Sequence, residues 1–358
     1  MMQVYSDFLV RYNISVYIVS MIIKNTSPSS QKLRSIMQVV FLFLILFIGI
    51  QFIQYVAWLD SGGLGDAPRR PPGATGFLPI ASIMSLSFLF QTGEVHSVHP
   101  AGLFLFIAFV IMSFIAGKSF CSWVCPFGLL SELLEKVHRR LFKRVLSLPR
   151  WLDYPLRSLK YLLLGFFLLA IIPMGAIELG HYLNSPYHAV ADIKMYRFFA
   201  QITPFAAYVT LGLILFSLVI PYFWCRYLCP YGALMGFIGL FSPNKIKRNA
   251  DSCIDCGKCT KVCPARILVD KVNTVRSDEC TSCYQCVDTC PVKDTLEVTN
   301  FPTKRTIPTR LLGITIAATF VILVGIGYIS GNWDSSLSAE KTLELYPGID
   351  FYLHTGTY

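Results

Sequence analysis

The stretches CSWVCPFGLL (residues 121–130) and CRYLCPYGAL (residues 225–234) decide how this chain is read. Each is a Cys-x-x-x-Cys-Pro pair, and each directly follows a long apolar run. One pair offers two thiolates, half of what a four-iron, four-sulfur cube takes, whereas two pairs brought together offer four. Whether the pairs can meet depends on how the chain between them crosses a membrane.

Of 358 residues, 54% are hydrophobic and 15% charged, too apolar for a water-soluble globule. The chain reads as an α-helical polytopic membrane protein. A span takes about 20 apolar residues to cross roughly 30 Å of hydrocarbon. Five stretches fit: residues 37–58, 100–116, 161–177, 204–223 and 311–329. All are expected to be helices, because a helix satisfies its own backbone in lipid. Residues 77–90 are short and interrupted by Pro79, so they are expected to lie in the outer interface or re-enter from it. Residues 8–23 carry Arg11 and Asn13 without a basic n-region or cleavage site. They read as an interfacial helix, or as residues ahead of a later start codon, rather than a signal peptide.

With the N-terminus inside, 26 of the 31 Lys and Arg fall in inner segments, leaving Arg69, Arg70, Lys194, Arg197 and Lys341 outside. The positive-inside rule then predicts a multi-pass inner-membrane protein, N-terminus cytoplasmic and C-terminus periplasmic. The net charge of +10 belongs to that topology and to anionic lipid, with no nucleic-acid signature beside it. Between Cys125 and Cys225 the chain crosses twice, so both pairs emerge at the inner boundary. Pro126 and Pro230 can each begin a helix whose free amides and positive dipole end face the sulfurs and lower the thiol pKa. The expectation is one [4Fe-4S] cluster shared by Cys121, Cys125, Cys225 and Cys229. Two redox-active dithiols, or cysteines that only pack, are the alternatives.

The other eight cysteines spell CIDCGKCTKVCP (residues 253–264) and CTSCYQCVDTCP (residues 280–291). In this C-x2-C-x2-C-x3-C-P run, three thiolates wrap one cube and the fourth reaches its neighbour. The expected sets are crossed: Cys253, Cys256, Cys259 and Cys290 for one cluster, and Cys280, Cys283, Cys286 and Cys263 for the other. Zinc sites rarely use this run twice, and a reducing cytoplasm disfavours disulfides. The predicted organisation is an N-terminal cytoplasmic or interfacial segment (1–35), a membrane domain with four spans and both pairs (36–243), an inserted small α+β bacterial-type 2[4Fe-4S] ferredoxin domain (244–305), a fifth span (306–330) and a periplasmic tail (331–358).

Two C-x-x-x-C-P pairs in a membrane domain, followed by a two-cluster ferredoxin, resemble the NapH/NosR-type membrane polyferredoxin family over roughly residues 37–330. The resemblance implies an electron-transfer component rather than a stand-alone enzyme. It implies relay between the quinone pool, or a membrane redox partner, and another redox protein through three [4Fe-4S] clusters. The alternative is an assembly or regulatory factor that uses its clusters to reduce a metal, or to sense redox state, while a respiratory enzyme matures.

No C-x-x-C-H, dinucleotide fingerprint or P-loop occurs, which argues against attached c-type haem, direct NADH oxidation and ATP use. His96, His99, His181 and His188 fall on the predicted outer side. They read as polar caps of helices, as a quinone site built from His99, His181, Tyr187 and His188, or as ligands of b-type haem, and their spacing decides nothing. Leu129, Leu130, Leu133, Leu134, Val137 and Leu141 recur at helical spacing, as expected of an amphipathic helix on the inner membrane surface. Lys245, Lys247, Arg248, Lys258, Lys261, Arg266 and Lys271 gather around the first ferredoxin run. They form either a docking face for an acidic redox partner or a by-product of topology.

Overall fold

The computed structural model describes residues 25, 29–142 and 148–352; the expected interfacial stretch at 8–23 lies outside them. The membrane part runs α1 (Gln31–Asp60), a 3-10 turn (Pro72–Phe77), α2 (Pro79–Thr92), α3 (Pro100–Ala116), α4 (Ser119–Trp123), α5 (Pro126–Phe142), α6 (Arg150–Ile171), α7 (Ala176–Leu183), α8 (Pro186–Ala189), α9 (Ala191–Ala200), α10 (Pro204–Val219) and α11 (Pro230–Leu240). The ferredoxin segment holds β1 (Asn244–Arg248), α12 (Lys258–Lys261), α13 (Gln285–Thr289), β2 (Leu296–Asn300) and β3 (Thr306–Ile307). Then come α14 (Thr309–Ile329) and α15 (Ala339–Leu345).

By length and composition, α1, α6 and α14 can cross a membrane, and α9 with α10 make a fourth if a pair bent by 83° counts as one span. The expected spans at 100–116 and 204–223 become α3 and α10, of 17 and 16 residues, about 24–26 Å at 1.5 Å per residue. Five spans are therefore not reached on length alone. Each short helix gives way to its cysteine pair. Gly117 ends α3 at φ +66°, a conformation natural to glycine. The expected span at 161–177 starts earlier, at Arg150, and ends at Ile171; its polar Asp153 and Lys160 are buried in protein. Pro79 does not interrupt a helix but opens α2 at its first position, where the missing N–H is no loss.

α3 sits at the centre, buried on nearly every face against α14, α11, α2 and the 3-10 turn. Small residues let these helices close up: a Cβ at Gly313 of α14 would stand 2.6 Å from the Trp123 ring. Outward, α1 and α14 expose Val40, Phe43, Phe47, Val321 and Ile322, an apolar face suited to lipid.

Helix α5 is amphipathic as its leucines require, but turned inside out. Ser131, Glu132, Glu135 and His138 are buried, while Leu130, Leu133, Val137 and Leu141 are exposed. Its polar side meets protein: Arg34 forks onto Glu132 at 2.7 and 3.0 Å, and His138 Nδ1 donates to the Leu218 carbonyl at 2.8 Å.

The ferredoxin segment folds around a three-stranded antiparallel sheet in the order β1-β2-β3, with Ile246 opposite Val298 and both buried. It rests on the membrane part through α4.

Candidate iron–sulfur centres

Within the ferredoxin segment the cysteines gather around two cavities of similar size, with ≈ 380 and ≈ 340 Å³ of atom-free space. The first is lined by Cys253, Cys256, Cys259 and Cys290, beside Ile254, Gly257 and Pro291. The second is lined by Cys263, Cys280, Cys283 and Cys286, beside Ile246, Pro264 and Tyr284. Each cavity thus takes three cysteines from one run and the last from the other.

The two loops are conformational copies. Asp255 and Ser282 both take φ +49°, one residue before the second cysteine of each run. Gly257 and Tyr284 take φ +64° and +58°, one residue after it. Left-handed backbone costs a non-glycine residue roughly 1–2 kcal/mol, so surrounding contacts hold Asp255, Ser282 and Tyr284 in place. The result turns successive sulfurs toward one point. Four thiolates around one cavity fit an iron–sulfur cube in donor chemistry and number.

The two Cys-x-x-x-Cys-Pro pairs, which follow α3 and α10, also lie near each other. Pro126 opens α5 and Pro230 opens α11, so Cys125 and Cys229 stand at helix N-termini. The Gly232 amide donates to Cys229 Sγ at 3.2 Å, and the Gly128 amide serves Cys125 in the same way. A side chain at Gly128 is excluded, since its Cβ would fall 1.8 Å from the Cys121 carbonyl oxygen. Ser131 Oγ on α5, the helix of the first pair, lies 3.3 Å from Cys225 Sγ of the second. Among the described residues no group of three or more His, Cys, Asp or Glu converges as ligands of a single ion do; a cube instead holds each thiolate on its own iron. The expected lowering of thiol pKa is not what the bare thiols have. Burial pushes Cys121 up to about 12 and Cys225 up to about 11, so these ligands take a metal only with release of protons.

Sequence reading passed over the residues that join these centres. Between Cys121 and Cys125, Ser122 donates to the Thr281 carbonyl at 2.7 Å and Trp123 donates to the Ser282 carbonyl at 3.1 Å. Thr281 and Ser282 lie between Cys280 and Cys283. Arg226, beside Cys225, donates to the Ala265 carbonyl at 3.0 Å and forks onto Asp153 at 3.0 and 3.1 Å. Lys118 is buried three residues before Cys121, and its charge interacts with Cys121, Cys225 and Cys229. Burial works against its charge, Cys121 and Glu279 work for it, and the balance raises its pKa above the ordinary value. Only Arg226 could be singled out beforehand, from its place next to a cysteine.

The seven cations gathered around the first ferredoxin run differ in exposure. Lys245 donates to the Gly239 and Leu240 carbonyls at the end of α11, Arg248 donates to the Val272 carbonyl, and Arg266 is half-buried facing Arg226. Lys258, Lys261 and Lys271 remain exposed, with Cys256 and Ile254 exposed at the first cavity.

On the opposite side, His96, His99 and His188 are buried together, with ring centroids 6.1 Å apart for His96 and His188 and 4.7 Å for His99 and His188. His99 Nε2 donates to the His188 carbonyl and His188 Nδ1 to the Leu183 carbonyl, both at 2.8 Å. The remaining ring nitrogens, His99 Nδ1 and His188 Nε2, are buried without a partner, as is Arg70 Nη1. Rings 4.7 Å apart leave no room for a haem between them, so His99 and His188 are not its two axial ligands. Tyr187 is half-buried and packs on Tyr182, which touches His188. His181 is exposed and makes no ring contact with these histidines among the described residues.

Residues 98–145 and 202–249 each match the 4Fe-4S binding domain family, and residues 245–291 match the 4Fe-4S dicluster domain family. The chain is 43% identical to the putative electron transport protein YccM of Escherichia coli over 322 residues, covering 88% of this chain and 89% of that one. It is 28% identical to the methylamine utilization ferredoxin-type protein MauN of Methylobacillus flagellatus, over 59% of this chain and 69% of that one. It is 31% identical to the ferredoxin-type protein NapH of Haemophilus influenzae, over 46% of this chain and 55% of that one. No solved structure matches.

Proposed function

Since the chain belongs to the NapH/NosR-type family of ferredoxin-like membrane electron-transport proteins, we propose that it relays electrons between a membrane donor and a cytoplasmic redox partner through three [4Fe-4S] centres. The ligands are Cys121, Cys125, Cys225 and Cys229 for the first, Cys263, Cys280, Cys283 and Cys286 for the second, and Cys253, Cys256, Cys259 and Cys290 for the third. The observation that supports this reading is Ser131 Oγ at 3.3 Å from Cys225 Sγ, because it sets the helix that follows the first pair against a cysteine of the second.

When bound, a cluster supplies a one-electron carrier; contacts of the chain's own residues support the order. Ser122 and Trp123 tie the first centre to the loop of the second. The exposed Cys256 and Ile254 open the third to a partner. The topology fitting this order has five spans, α3 and α10 included as short ones, with the cysteines inside, the C-terminus outside, and 26 of 31 Lys and Arg inside.

A quinol is the donor that best suits the outer group, since His99 Nδ1 and His188 Nε2 are free acceptors and Arg70 Nη1 a free donor. Anaerobically purified protein should hold about twelve irons, four per cube. The double variant Cys121→Ala, Cys229→Ala should hold about eight. Eight irons in the unsubstituted, reconstituted chain would reduce the proposal to a two-cluster ferredoxin on a thiol-bearing membrane anchor.

A further inference from the structure

Four Lys and Arg are fully buried among the described residues: Arg34, Lys118, Lys160 and Arg226. Three have a carboxylate in reach. Arg34 pairs with Glu132 at 2.7 Å, Lys160 with Glu279 at 2.5 Å and Arg226 with Asp153 at 3.0 Å. Lys118 is 3% exposed and has no carboxylate within 4.0 Å and no side-chain hydrogen bond among the described residues. An ammonium taken out of water without a counter-charge is strongly unfavourable.

The backbone holds Lys118 there firmly. Gly117 before it has φ +66°, and a Cβ at that position would meet Ser282 Oγ at 2.5 Å. On the other side, a Cβ at Gly239 of α11 would stand 2.9 Å from the Lys118 amide nitrogen. The residue is clamped between α11 and the ferredoxin loop at Ser282. Its charge interacts with Cys121, three residues on, and with Cys229 and Cys225; the carboxylates in electrostatic reach, Glu279 and Asp278, are both already paired with Lys160.

We infer that Lys118 is the counter-ion of the group held by Cys121, Cys125, Cys225 and Cys229, and that it sets that group's reduction potential above what four thiolates alone would give. The inference rests on the shared centre proposed above. One-electron reduction adds one negative charge to the four-thiolate cluster and breaks no bond. A fixed cation in a dry setting favours the reduced form. The thiols its charge interacts with belong to this centre, Cys121, Cys225 and Cys229, so the effect falls on it more than on the two in the ferredoxin segment.

The test is a redox titration of the anaerobically purified full chain in detergent, followed by electron paramagnetic resonance, with dithionite as the reductant and iron counted in parallel. Lys118→Met keeps the length and removes the charge. It should lower one of three midpoint potentials by at least tenfold in equilibrium constant, ~59 mV for a one-electron couple, and leave the other two in place. Lys118→Arg should restore most of the shift. Loss of four irons by Lys118→Met, recovered by Lys118→Arg, supports the same role; loss not recovered by Lys118→Arg overturns it. A full iron complement with three unmoved potentials in Lys118→Met overturns this inference alone. Eight irons in the unsubstituted chain overturn it together with the shared centre.

Discussion

Trp123 donates its indole N–H to the carbonyl of Ser282 across 3.1 Å, so a residue inside the first cysteine pair is fastened to a residue inside the second ferredoxin run. Trp123 is fully buried, and a Cβ at Gly313 of α14 would come within 2.6 Å of its ring. The bond therefore joins three parts at one point: the pair, the ferredoxin loop and a membrane helix.

Trp123→Phe should keep the ring packing and lose the bond, leaving the Ser282 carbonyl buried without a donor. The expected cost is about 1–3 kcal/mol, read as a lower Tm of the full chain in detergent with its iron content unchanged. An unchanged Tm would show that the junction contributes nothing to holding the ferredoxin segment in place.

The crossed ligand sets give a sharper test, because two cysteines can be removed that share a cavity but not a run. Cys253 and Cys290 both line the first cavity. Cys253→Ala with Cys290→Ala should therefore remove one cube, about four irons. If each run held its own cube, the same double variant would damage both ferredoxin centres and remove about eight irons.

The 4Fe-4S domains were legible because their cysteines follow short spacings that no tertiary context rewrites. The helix character of the membrane part was legible for a similar reason: long apolar runs have few alternatives. Span lengths were less so. Residues such as Asp153 and Lys160 look too polar for a membrane helix until Arg226 and Glu279 are found beside them, from distant parts of the chain. The orientation of α5 was hidden too. A leucine stripe signals an apolar face but does not say whether protein or lipid receives it, and here Glu132 and Ser131 face inward because Arg34 and Cys225 wait there. The roles of single cations were hidden in a different way: Lys245 and Arg248 look like free surface charge in sequence, yet both also hydrogen-bond backbone carbonyls.

The clustered histidines carry a pH signature. Burial, the largest effect, lowers the His99 pKa to about 4 from 6.5, so its proton is held more tightly in the unfolded chain. Its contribution to stability is present above pH 6.5 and lost as pH falls from about 6.5 to about 4, worth up to about 3 kcal/mol. His188 is lowered in the same direction, also chiefly by burial. His99→Gln, which can still donate to the His188 carbonyl, should flatten the fall in Tm between pH 7 and pH 5 relative to the unsubstituted chain. Parallel curves would mean that His99 is not held neutral in the fold.

The same group separates a donor site from a structural plug. If His99 Nδ1 and His188 Nε2 receive the hydroxyls of a quinol, replacing either histidine with Ala should slow quinol-dependent cluster reduction, while reduction by dithionite, which does not use that site, stays as it was. His181→Ala should have no effect, since His181 is exposed and outside the group. Arg70→Lys should slow the quinol reaction as well, since an ammonium keeps the charge beside Asp192 but loses the planar fork that reaches both Asp192 oxygens and presents Nη1. Quinol kinetics unchanged in the His99, His188 and Arg70 variants, with Tm lowered, would make this cluster a packing device and move the donor site to the inner leaflet.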